Sequence, residues 1–377
     1  MRGPAVRPIV IAAGGTGGHL FPAEALAAEL LRRGERIALM TDARSAAYDS
    51  AAFAAAERFV LSGAGLSGRG MRGAARGAVA LVAGTMQARR HLAALNPSVV
   101  VGFGGYPSFP PLAAARMIGA ARRPAIVLHE QNAVLGRANR LMARIADLLA
   151  LSFEDTTKVP AGARAEVVGN PVRPAIAALA GLPYPTPPEG GAIRLLVTGG
   201  SLGARVFADV VPPAIVALPE AIRARLLVTQ QCRADDLART ATAYREAGVV
   251  ADLAPFFPDI AGRLATAHLV VARAGASTVA ELACAGRPAV LVPLPTAIDD
   301  HQSANARALA EADAAWVYPQ PAFTPEALTE RLVSLLAVPS RLTAAAAAAA
   351  ALARPHAARD LADRVLALAR HDIMGTA

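Results

Sequence analysis

One pattern occurs twice in the chain and constrains its fold more than any other: an apolar strand, a glycine-rich turn and the start of a helix. It reads IVIAAGGTGGH from Ile9 and LLVTGGSLGAR from Leu195. Around both copies, short β-branched runs alternate with stretches rich in Ala and Leu, as in a parallel sheet covered by helices. The strand segments are continuously apolar, as expected when both faces are buried. The sequence therefore predicts an α/β chain of two doubly wound, Rossmann-like domains.

A stretch rich in proline and glycine separates the two copies of the pattern. It runs from NPVRP to GLPYPTPPEGG, between Asn170 and Gly191, and has the composition of a linker. A chain of 377 residues also suggests two domains, at roughly 100–200 residues each. We expect an N-terminal domain over 1–170, a C-terminal domain over 171–350, and a final helix over 351–377 that packs back on the N-terminal domain.

Charge and composition narrow the classes of ligand. The net charge of +9 comes from 38 basic against 29 acidic residues, and such an excess attracts polyanions. Only 4% of residues are aromatic, which argues against base stacking on aromatic platforms. The cysteines Cys232 and Cys284 are too few for a disulfide framework or a four-cysteine zinc site. The sequence has no apolar run of about 18 residues, the length that a membrane-spanning helix needs. We therefore expect a chain that is soluble or lies on a membrane surface.

The first glycine-rich turn, GGTGG before His19, has the chemistry of an anion site. Glycines let the backbone approach a ligand closely, and the following helix presents N–H groups and a positive dipole end. The turn is not a P-loop, since no Gly-Lys-Ser/Thr follows. It fits the dinucleotide fingerprint poorly because Leu20 stands where a third glycine is expected. Asp42 could still mimic a ribose-binding acid, so a nicotinamide-dependent dehydrogenase stays open.

Two side chains of the first half are candidates for acid–base chemistry. His19 at the mouth of the turn could accept a proton from an attacking hydroxyl, or could only orient a ligand. Glu130 lies in the segment His129–Asn132, which follows a strand. That segment is not a zinc-protease HExxH, because Ala133 takes the place of the second histidine. The sequence does not rank His19 and Glu130 as the base.

The second half repeats the anion-site chemistry. GGSLGAR carries the Ser201 hydroxyl as an added donor, and a helix opens after Gly275 in GASTVAEL. Glu281, one turn into that helix, could hold a ribose diol or could simply be stabilised by the helix dipole. The run Asp299–Gln302 resembles a metal cluster, but no further ligands recur at metal spacing. We therefore expect no metal site.

A segment of the first half combines apolar and basic residues. Arginines flank a short apolar set in Arg69, Arg72, Arg76, Val79, Leu81, Val82, Met86, Arg89 and Arg90. This pattern suits an interfacial helix on an anionic leaflet. It equally suits an ordinary helix whose apolar face belongs to the core.

Seven motifs occur in one order along the chain: GGTGGH, GFGGYPS, HEQNAVLGRANR, GNPVR, GGSLGAR, ARAGASTVAEL and DDHQSANA. Together they closely resemble the MurG family of peptidoglycan N-acetylglucosaminyltransferases, over about residues 9–316. The resemblance implies a GT-B fold with the active site in the interdomain cleft. It implies transfer of N-acetylglucosamine (GlcNAc) from UDP-GlcNAc to the 4-hydroxyl of N-acetylmuramic acid in undecaprenyl-diphosphoryl-MurNAc-pentapeptide (lipid I), with inversion, giving lipid II.

The resemblance also assigns site residues. The implied catalytic residues are His19 and Glu130, and the implied acceptor-binding residues are Gly14, Gly15 and Tyr106. The implied donor-binding residues are Thr16, Gly17, Gly18, Asn132, Arg173, Ser201, Phe257 (through its backbone amide), Ala276, Ser277, Thr278, Glu281 and Gln302. No cofactor is implied. The implied partners are UDP-GlcNAc, lipid I and an anionic membrane surface, with other cell-wall synthesis proteins left open and nucleic acid excluded. The implied location is peripheral, on the cytoplasmic face of the inner membrane.

Three alternatives remain beside this interpretation. One is another GT-B glycosyltransferase with a different lipid or small-molecule acceptor. Another is a nucleic-acid-binding regulator that uses the positive charge, although no basic run, zinc module or recognition motif supports it. The third is the dehydrogenase, which the glycine spacing disfavours.

Overall fold

The structure, a computed structural model, describes residues 7–48, 50–62, 71–200 and 203–374, without the side chains of 71–76 and 371–374. The described chain forms two compact units. The first comprises the described residues up to Arg173 together with those from His356 onward, and the second runs from Pro174 to Pro355. Both junctions lie a few residues beyond the positions expected from the sequence.

The first unit is built on a seven-stranded parallel sheet with strand order β3-β2-β1-β4-β5-β6-β7. The strands are β1 (Ile9–Ala12), β2 (Ile37–Asp42), β3 (Glu57–Leu61), β4 (Val99–Gly102), β5 (Ala125–Glu130), β6 (Leu148–Leu151) and β7 (Ala165–Val167). Alternate residues of β1 enter two separate cores: Ile9 and Ile11 pack in one, and Val10 in the other. Burial on both faces explains the continuously apolar strand sequence.

The second unit repeats this plan with six parallel strands in the order β10-β9-β8-β11-β12-β13. The strands are β8 (Ile193–Thr198), β9 (Leu226–Gln231), β10 (Val250–Ala254), β11 (Leu269–Ala272), β12 (Ala289–Leu291) and β13 (Ala315–Val317). In both sheets the strand order reverses beside the first strand of the unit. The glycine-rich turns follow those strands, β1 and β8, so each turn lies where ligands bind in open α/β sheets. The prediction of two doubly wound domains is confirmed.

Helices connect the strands in both units. Those of the first unit are α1 (Gly17–Arg32), α2 (Ala51–Ala54), α3 (Met71–Leu95), α4 (Gly105–Arg116) and α5 (Arg137–Met142). Those of the second are α6 (Pro174–Ala177), α7 (Arg205–Val216), α8 (Glu220–Arg223), α9 (Leu237–Glu246), α10 (Ile260–Thr266), α11 (Ala276–Ala285), α12 (His301–Glu311), α13 (Pro325–Leu336) and α14 (Pro339–Ala351). Local chemistry sets several ends: Thr324 caps α13 by accepting the Ala327 N–H, and Gly286 ends α11 with φ of 60°.

The last helix, α15 (Ala357–Met374), returns to the first unit. Its Leu361 and Val365 are fully buried in the same core as Leu26 and Leu30 of α1. An ion pair between Arg33 and Asp363 joins the two helices at the surface. The apolar contact supplies most of the attachment, because exposed ion pairs contribute little.

This packing predicts that Leu361→Ala destabilises the first unit by about 2–5 kcal/mol, since the variant leaves a cavity between α15 and α1. Urea unfolding followed by circular dichroism measures the change. Leu352→Ala is the matched control, because that leucine is 41% exposed, and we expect it to cost much less. Equal losses in the two variants would contradict the attachment described.

A buried arginine organises the second unit. Arg287, 2% exposed, donates to the carbonyls of Leu264 and Ala265 at the end of α10, and to those of Ala285 and Gly286 at the end of α11. Helix C-termini carry partial negative charge and unsatisfied carbonyls, so one guanidinium serves both. Burial lowers the pKa of Arg287.

A buried histidine lies beside this arginine. The Nδ1 atom of His268 accepts the Arg194 N–H at 3.0 Å, and the Tyr184 hydroxyl donates to the His268 carbonyl. Burial and the nearby charges of Arg194 and Arg287 lower the pKa of His268 to about 4. The folded protein therefore holds this ring neutral at pH values where the unfolded chain binds a proton.

We predict that His268 makes the protein less stable in acid. As pH falls from about 6.5 towards 4, the unfolded state takes up a proton that the folded state refuses, so stability is lost across that window. His268→Asn keeps an oxygen that can accept the Arg194 N–H but does not titrate. Between pH 7 and pH 5, we expect the free energy of unfolding to fall by about 2 kcal/mol less in this variant than in the parent. Urea unfolding at both pH values measures this, and parallel losses would contradict it.

Within the described residues, no single helix is long and apolar enough to span a bilayer. The helices α13 and α14 would meet the length and composition test only as a pair, and they are bent by 95°.

Candidate active site

The first glycine-rich turn requires glycine for two different reasons, a close contact at Gly14 and a positive φ at Gly15. A Cβ on Gly14 would lie 2.9 Å from Asp42 Oδ1 and 3.0 Å from Pro107 Cβ. Gly15 has φ of 90°, which L side chains rarely adopt, and its N–H donates to Ser45 Oγ at 2.7 Å. Thr16 then precedes α1 with its side chain making no cap bond. The turn thus exposes backbone at the N-terminal end of a 16-residue helix, as an anion site requires.

Asp42 maintains this turn. Its carboxylate accepts from the Ser45 N–H and from Arg44 Nε, at 3.1 and 3.0 Å. Burial would raise the pKa of Asp42, but the hydrogen bonds from Ser45 and Arg44 outweigh it and hold the pKa below its usual value. Because Ser45 also accepts from Gly15, the carboxylate fixes the loop that carries the glycines. This geometry accounts for Asp42 without a ribose.

Glu130 is saturated with hydrogen bonds. Its Oε1 accepts from the backbone and side-chain nitrogens of Asn132, both at 3.0 Å. Its Oε2 accepts from the Gly136 N–H at 2.8 Å and from Asn139 Nδ2 at 2.9 Å. The residue is 2% exposed. Four donors and burial make this carboxylate the organiser of the loop after β5, and leave it poorly placed to take a proton from a substrate.

His19 has the opposite setting. Its half-buried ring lies in the first turn of α1, against the glycine turn that opens α4. A Cβ on Gly105 would lie 3.2 Å from His19 Nε2, and Gly105 has φ of 68°. On the other side, Nδ1 lies 2.9 Å from Gln131 Oε1. One ring nitrogen therefore has a hydrogen-bond partner in Gln131, while the other lies against a glycine.

Two other residues that the sequence singled out lie in the same unit. Tyr106, in α4, donates its hydroxyl to the Gly77 carbonyl at 3.3 Å. Arg173, at the end of the unit, lies over the Phe21 ring of α1, with its guanidinium carbon 4.7 Å from the ring centroid. The first unit thus brings four of these residues to the carboxyl edge of its sheet: His19 after β1, Tyr106 after β4, Glu130 at the end of β5 and Asn132 just beyond it. The sequence had placed Glu130 after the strand, whereas it is the last strand residue.

The second glycine turn is held by a residue that the sequence interpretation missed. Gln231, at the end of β9, accepts from the Gly199 N–H and donates to the Gly200 carbonyl, at 3.1 and 2.8 Å. Its amide also donates to Pro255 O at 3.0 Å. The signal available was the polar pair Gln-Gln at the end of an apolar strand. Ser201 lies outside the described residues.

The third predicted anion site lies at the start of α11. Gly275 is its N-cap, and Ala276, Ser277 and Thr278 form the first turn, with Glu281 one turn further on. Arg273, which directly follows β11, donates to the carbonyls of Val292 and Pro293 and to Gln320 Oε1. These hydrogen bonds fix the segment between β11 and α11. A dipole end with backbone N–H groups is thereby held in place at the carboxyl edge of β11.

The remaining donor-site candidates border the same edge. The Oε1 atom of Gln302, in α12, accepts the Leu294 N–H at 2.9 Å. Phe257 is 7% exposed and its ring lies under Arg263. The second unit therefore groups the loops after β8, β10, β11 and β12. Among the described residues, no three His, Cys, Asp or Glu side chains are grouped as a metal site would need.

The segment with mixed apolar and basic residues forms part of α3. Val79 and Val82 are 70% and 61% exposed, while Ala88 and Leu92 of the same helix are buried. Arg89 and Arg90 are exposed and continue the apolar side. The helix thus has both a core face and an exposed apolar stripe. Arg69 and the side chains of Arg72 and Arg76 lie outside what the structure describes.

The saturation of Glu130 predicts that Glu130→Gln destabilises the first unit by about 2–3 kcal/mol, because the new amide N–H₂ group faces donors. Urea unfolding by circular dichroism measures the loss. Glu57→Gln is the control: Glu57 forms an exposed ion pair with Arg36 at 3.5 Å, worth little. If both variants unfold at the parent's midpoint, Glu130 does not organise its loop.

Comparison with known proteins places these two units in a class. The model of the glycosyltransferase family 28 N-terminal domain matches residues 9–150, and that of the C-terminal domain matches residues 194–365. The chain belongs to glycosyltransferase family 28. It is an enzyme of the GT-B fold class, as the sequence resemblance predicted.

Relatives of known name are similar over nearly the full length. One from Granulibacter bethesdensis is 59% identical and covers 97% of this chain and 94% of its own. One from Gluconobacter oxydans is 52% identical, and the match covers 95% of this chain and 98% of the relative. Both are named UDP-N-acetylglucosamine--N-acetylmuramyl-(pentapeptide) pyrophosphoryl-undecaprenol N-acetylglucosamine transferase. The predicted resemblance to this family is confirmed.

Solved structures agree. The crystal structure of MurG from Acinetobacter baumannii matches with a TM-score of 0.75 and 30% identity, covering 95% of this chain and 99% of that one. The calicheamicin glycosyltransferase CalG4 matches with a TM-score of 0.63 and 18% identity, covering 97% of this chain and 98% of that one. At this identity the match shows a shared fold alone.

Proposed function

We propose that this chain transfers GlcNAc from UDP-GlcNAc to the 4-hydroxyl of the MurNAc sugar in lipid I, with inversion, giving lipid II. The support is the name shared by relatives that are 52–59% identical over 95–97% of the chain. The observation in the site that carries it is His19, a histidine with one ring nitrogen held by Gln131 and the other facing the glycine turn. An inverting sugar transfer needs one such base.

The reaction is a single displacement. The acceptor oxygen forms a bond to the anomeric carbon of GlcNAc as the bond from that carbon to the UDP β-phosphate oxygen breaks. The electron pair of the broken bond leaves with UDP, and the proton of the attacking hydroxyl goes to His19 Nε2. Charge therefore develops on the departing diphosphate, and the site must stabilise it.

The second unit has the groups for the donor. Backbone N–H groups in the first turn of α11, at Ala276, Ser277 and Thr278, would stabilise the diphosphate, together with the Ser201 loop. Glu281 would accept from the ribose diol and Gln302 would bind the sugar through its amide. Phe257 would contribute a backbone amide to the uracil. Within the first unit we assign Arg173 to a phosphate group, and Thr16, Gly17, Gly18 and Asn132 to a sugar.

The first unit has the groups for the acceptor. The backbone of Gly14 and Gly15 leads into the N-terminal end of α1, which suits the diphosphate of a lipid-linked sugar. Tyr106 lies on α4 beside the same turn. We infer that the acceptor hydroxyl lies beside His19 when the acceptor diphosphate binds the glycine turn.

We predict that His19→Ala lowers kcat by roughly 10²–10⁴-fold, the usual contribution of a general base, with a small effect on KM for UDP-GlcNAc. The measurement is transfer of radiolabelled GlcNAc to a short-chain lipid I analogue at saturating donor. His356→Ala, a change at an exposed histidine, is the control and should keep parental turnover. Near-parental turnover of His19→Ala would remove the base assignment. Transfer to another acceptor but not to lipid I would favour a different glycosyltransferase.

The exposed stripe of α3 favours a peripheral place on an anionic membrane. We define the α3 stripe as Val79, Val82, Met86, Arg89 and Arg90. Its apolar members are 37–70% exposed, and arginines at one end add attraction to anionic headgroups. Because the acceptor is a lipid, a membrane surface there would present the substrate to the first unit. We assign the chain to the cytoplasmic face of the inner membrane, where UDP-GlcNAc is available.

For the α3 stripe we predict that the double change Arg89→Glu and Arg90→Glu weakens binding to vesicles containing anionic lipid by at least tenfold, since each basic residue near such a surface contributes about 1 kcal/mol. Vesicle sedimentation at low salt measures this. The control is Arg245→Glu on α9, an exposed arginine of the second unit. Parental binding by the double variant would show that another surface makes the contact.

A further inference from the structure

A chain of hydrogen bonds runs inward from His19 through two buried side chains. His19 Nδ1 lies 2.9 Å from Gln131 Oε1, and Gln131 Nε2 lies 2.9 Å from His129 Nδ1. His129 Nε2 lies 3.0 Å from the Gly169 carbonyl. Gln131 and His129 are 1% and 0% exposed. These hydrogen bonds therefore join the first turn of α1, the end of β5 and the segment that leads to Arg173.

Backbone carbonyls settle the direction of every bond in this chain. Gln131 Nε2 also lies 3.1 Å from the His129 carbonyl. A carbonyl only accepts, so the Gln131 atom facing it must be the amide nitrogen. The other amide atom is then an oxygen, which also only accepts. His19 must therefore donate, and its Nδ1 carries the proton.

The far end of the chain agrees independently. The Gly169 carbonyl can only accept, so His129 Nε2 carries a proton. A neutral ring then has a bare Nδ1, which accepts from Gln131, as the near end requires. Burial lowers the pKa of His129 to about 4, so this ring is neutral at physiological pH. Both ends thus select one arrangement of protons.

We infer that Gln131 is a positioning residue, held by His129, that keeps His19 in the Nδ1–H tautomer and so leaves the Nε2 lone pair facing the acceptor. This rests on the proposed role of His19 as base. A neutral histidine with the proton on Nε2 could not accept one there, so the tautomer decides whether the base is competent. In other enzymes a carboxylate does this for histidine; here a neutral amide does so without adding charge.

The test is nitrogen NMR of the full-length protein labelled with ¹⁵N-histidine at pH 7.5, with His19 assigned from a His19→Asn variant. Nδ1 of His19 is expected to carry the proton in the parent. Gln131→Met removes the acceptor at similar size, and should shift His19 towards the Nε2–H form. It should also lower kcat by roughly 10–10³-fold while KM for UDP-GlcNAc changes little.

Two further variants separate positioning from packing. Gln131→Glu keeps an oxygen acceptor for His19 Nδ1, and its second oxygen, protonated in this buried place, can donate to His129 as the amide does. This variant should therefore retain the Nδ1–H form and recover kcat relative to Gln131→Met. Ser152→Ala removes a different hydrogen bond at the same strand end, from Ser152 Oγ to the Glu130 carbonyl, and should leave the His19 signals unchanged.

The outcomes are distinct. An Nε2–H tautomer of His19 in the parent, or a Gln131→Met variant with parental kcat, would overturn the positioning role. Equal losses of kcat in Gln131→Met and Gln131→Glu, with the tautomer unchanged in both, would also overturn it. If His19→Ala itself turns over normally, the proposed base fails instead, and the NMR measurement still decides the tautomer.

Discussion

The backbone pairing of parallel strands is the constraint on which the rest of each unit depends. Parallel strands need crossover connections, and these cover both faces with helices, so the strands become apolar throughout. The carboxyl ends of all strands then meet at one edge. The glycine turns after β1 and β8, the loop after β5 and the start of α11 all lie on such edges. Polar side chains lie at this edge because burying them among the apolar side chains of the sheet would cost free energy.

Each of these edges is stabilised by a buried polar group that bonds several backbone atoms. Asp42 and Glu130 accept from the loops of the first unit, and Gln231 bridges the glycine turn of the second. A buried polar group costs free energy unless it is satisfied, so these residues hold their loops in one conformation. Arg287 does the same for the ends of two helices. Site geometry in this protein depends on such internal bonds as much as on residues that face a ligand.

The sequence interpretation was right about the architecture, because alternating strand and helix signals and glycine turns are local properties. It named the turns, the residues at strand ends and the resemblance that led to the family. It could not rank His19 against Glu130, because their difference lies in their partners. Glu130 is surrounded by donors from Asn132, Gly136 and Asn139. It also missed Gln231, whose amide joins backbone atoms of two loops, the glycine turn after β8 and the loop after β10.

The sequence by itself determined the two α/β units, the positions of the glycine-rich turns and the membership of a family. These follow from hydrophobic patterning and from glycine, whose effects act over a few residues. The tertiary structure alone decided which hydrogen-bond partners surround each of the two candidate bases. His19 and Gln131 are 112 residues apart, and His129 and Gly169 are 40 apart. Only the folded sheet brings these four groups into hydrogen-bonding distance, and the proton positions follow from that contact.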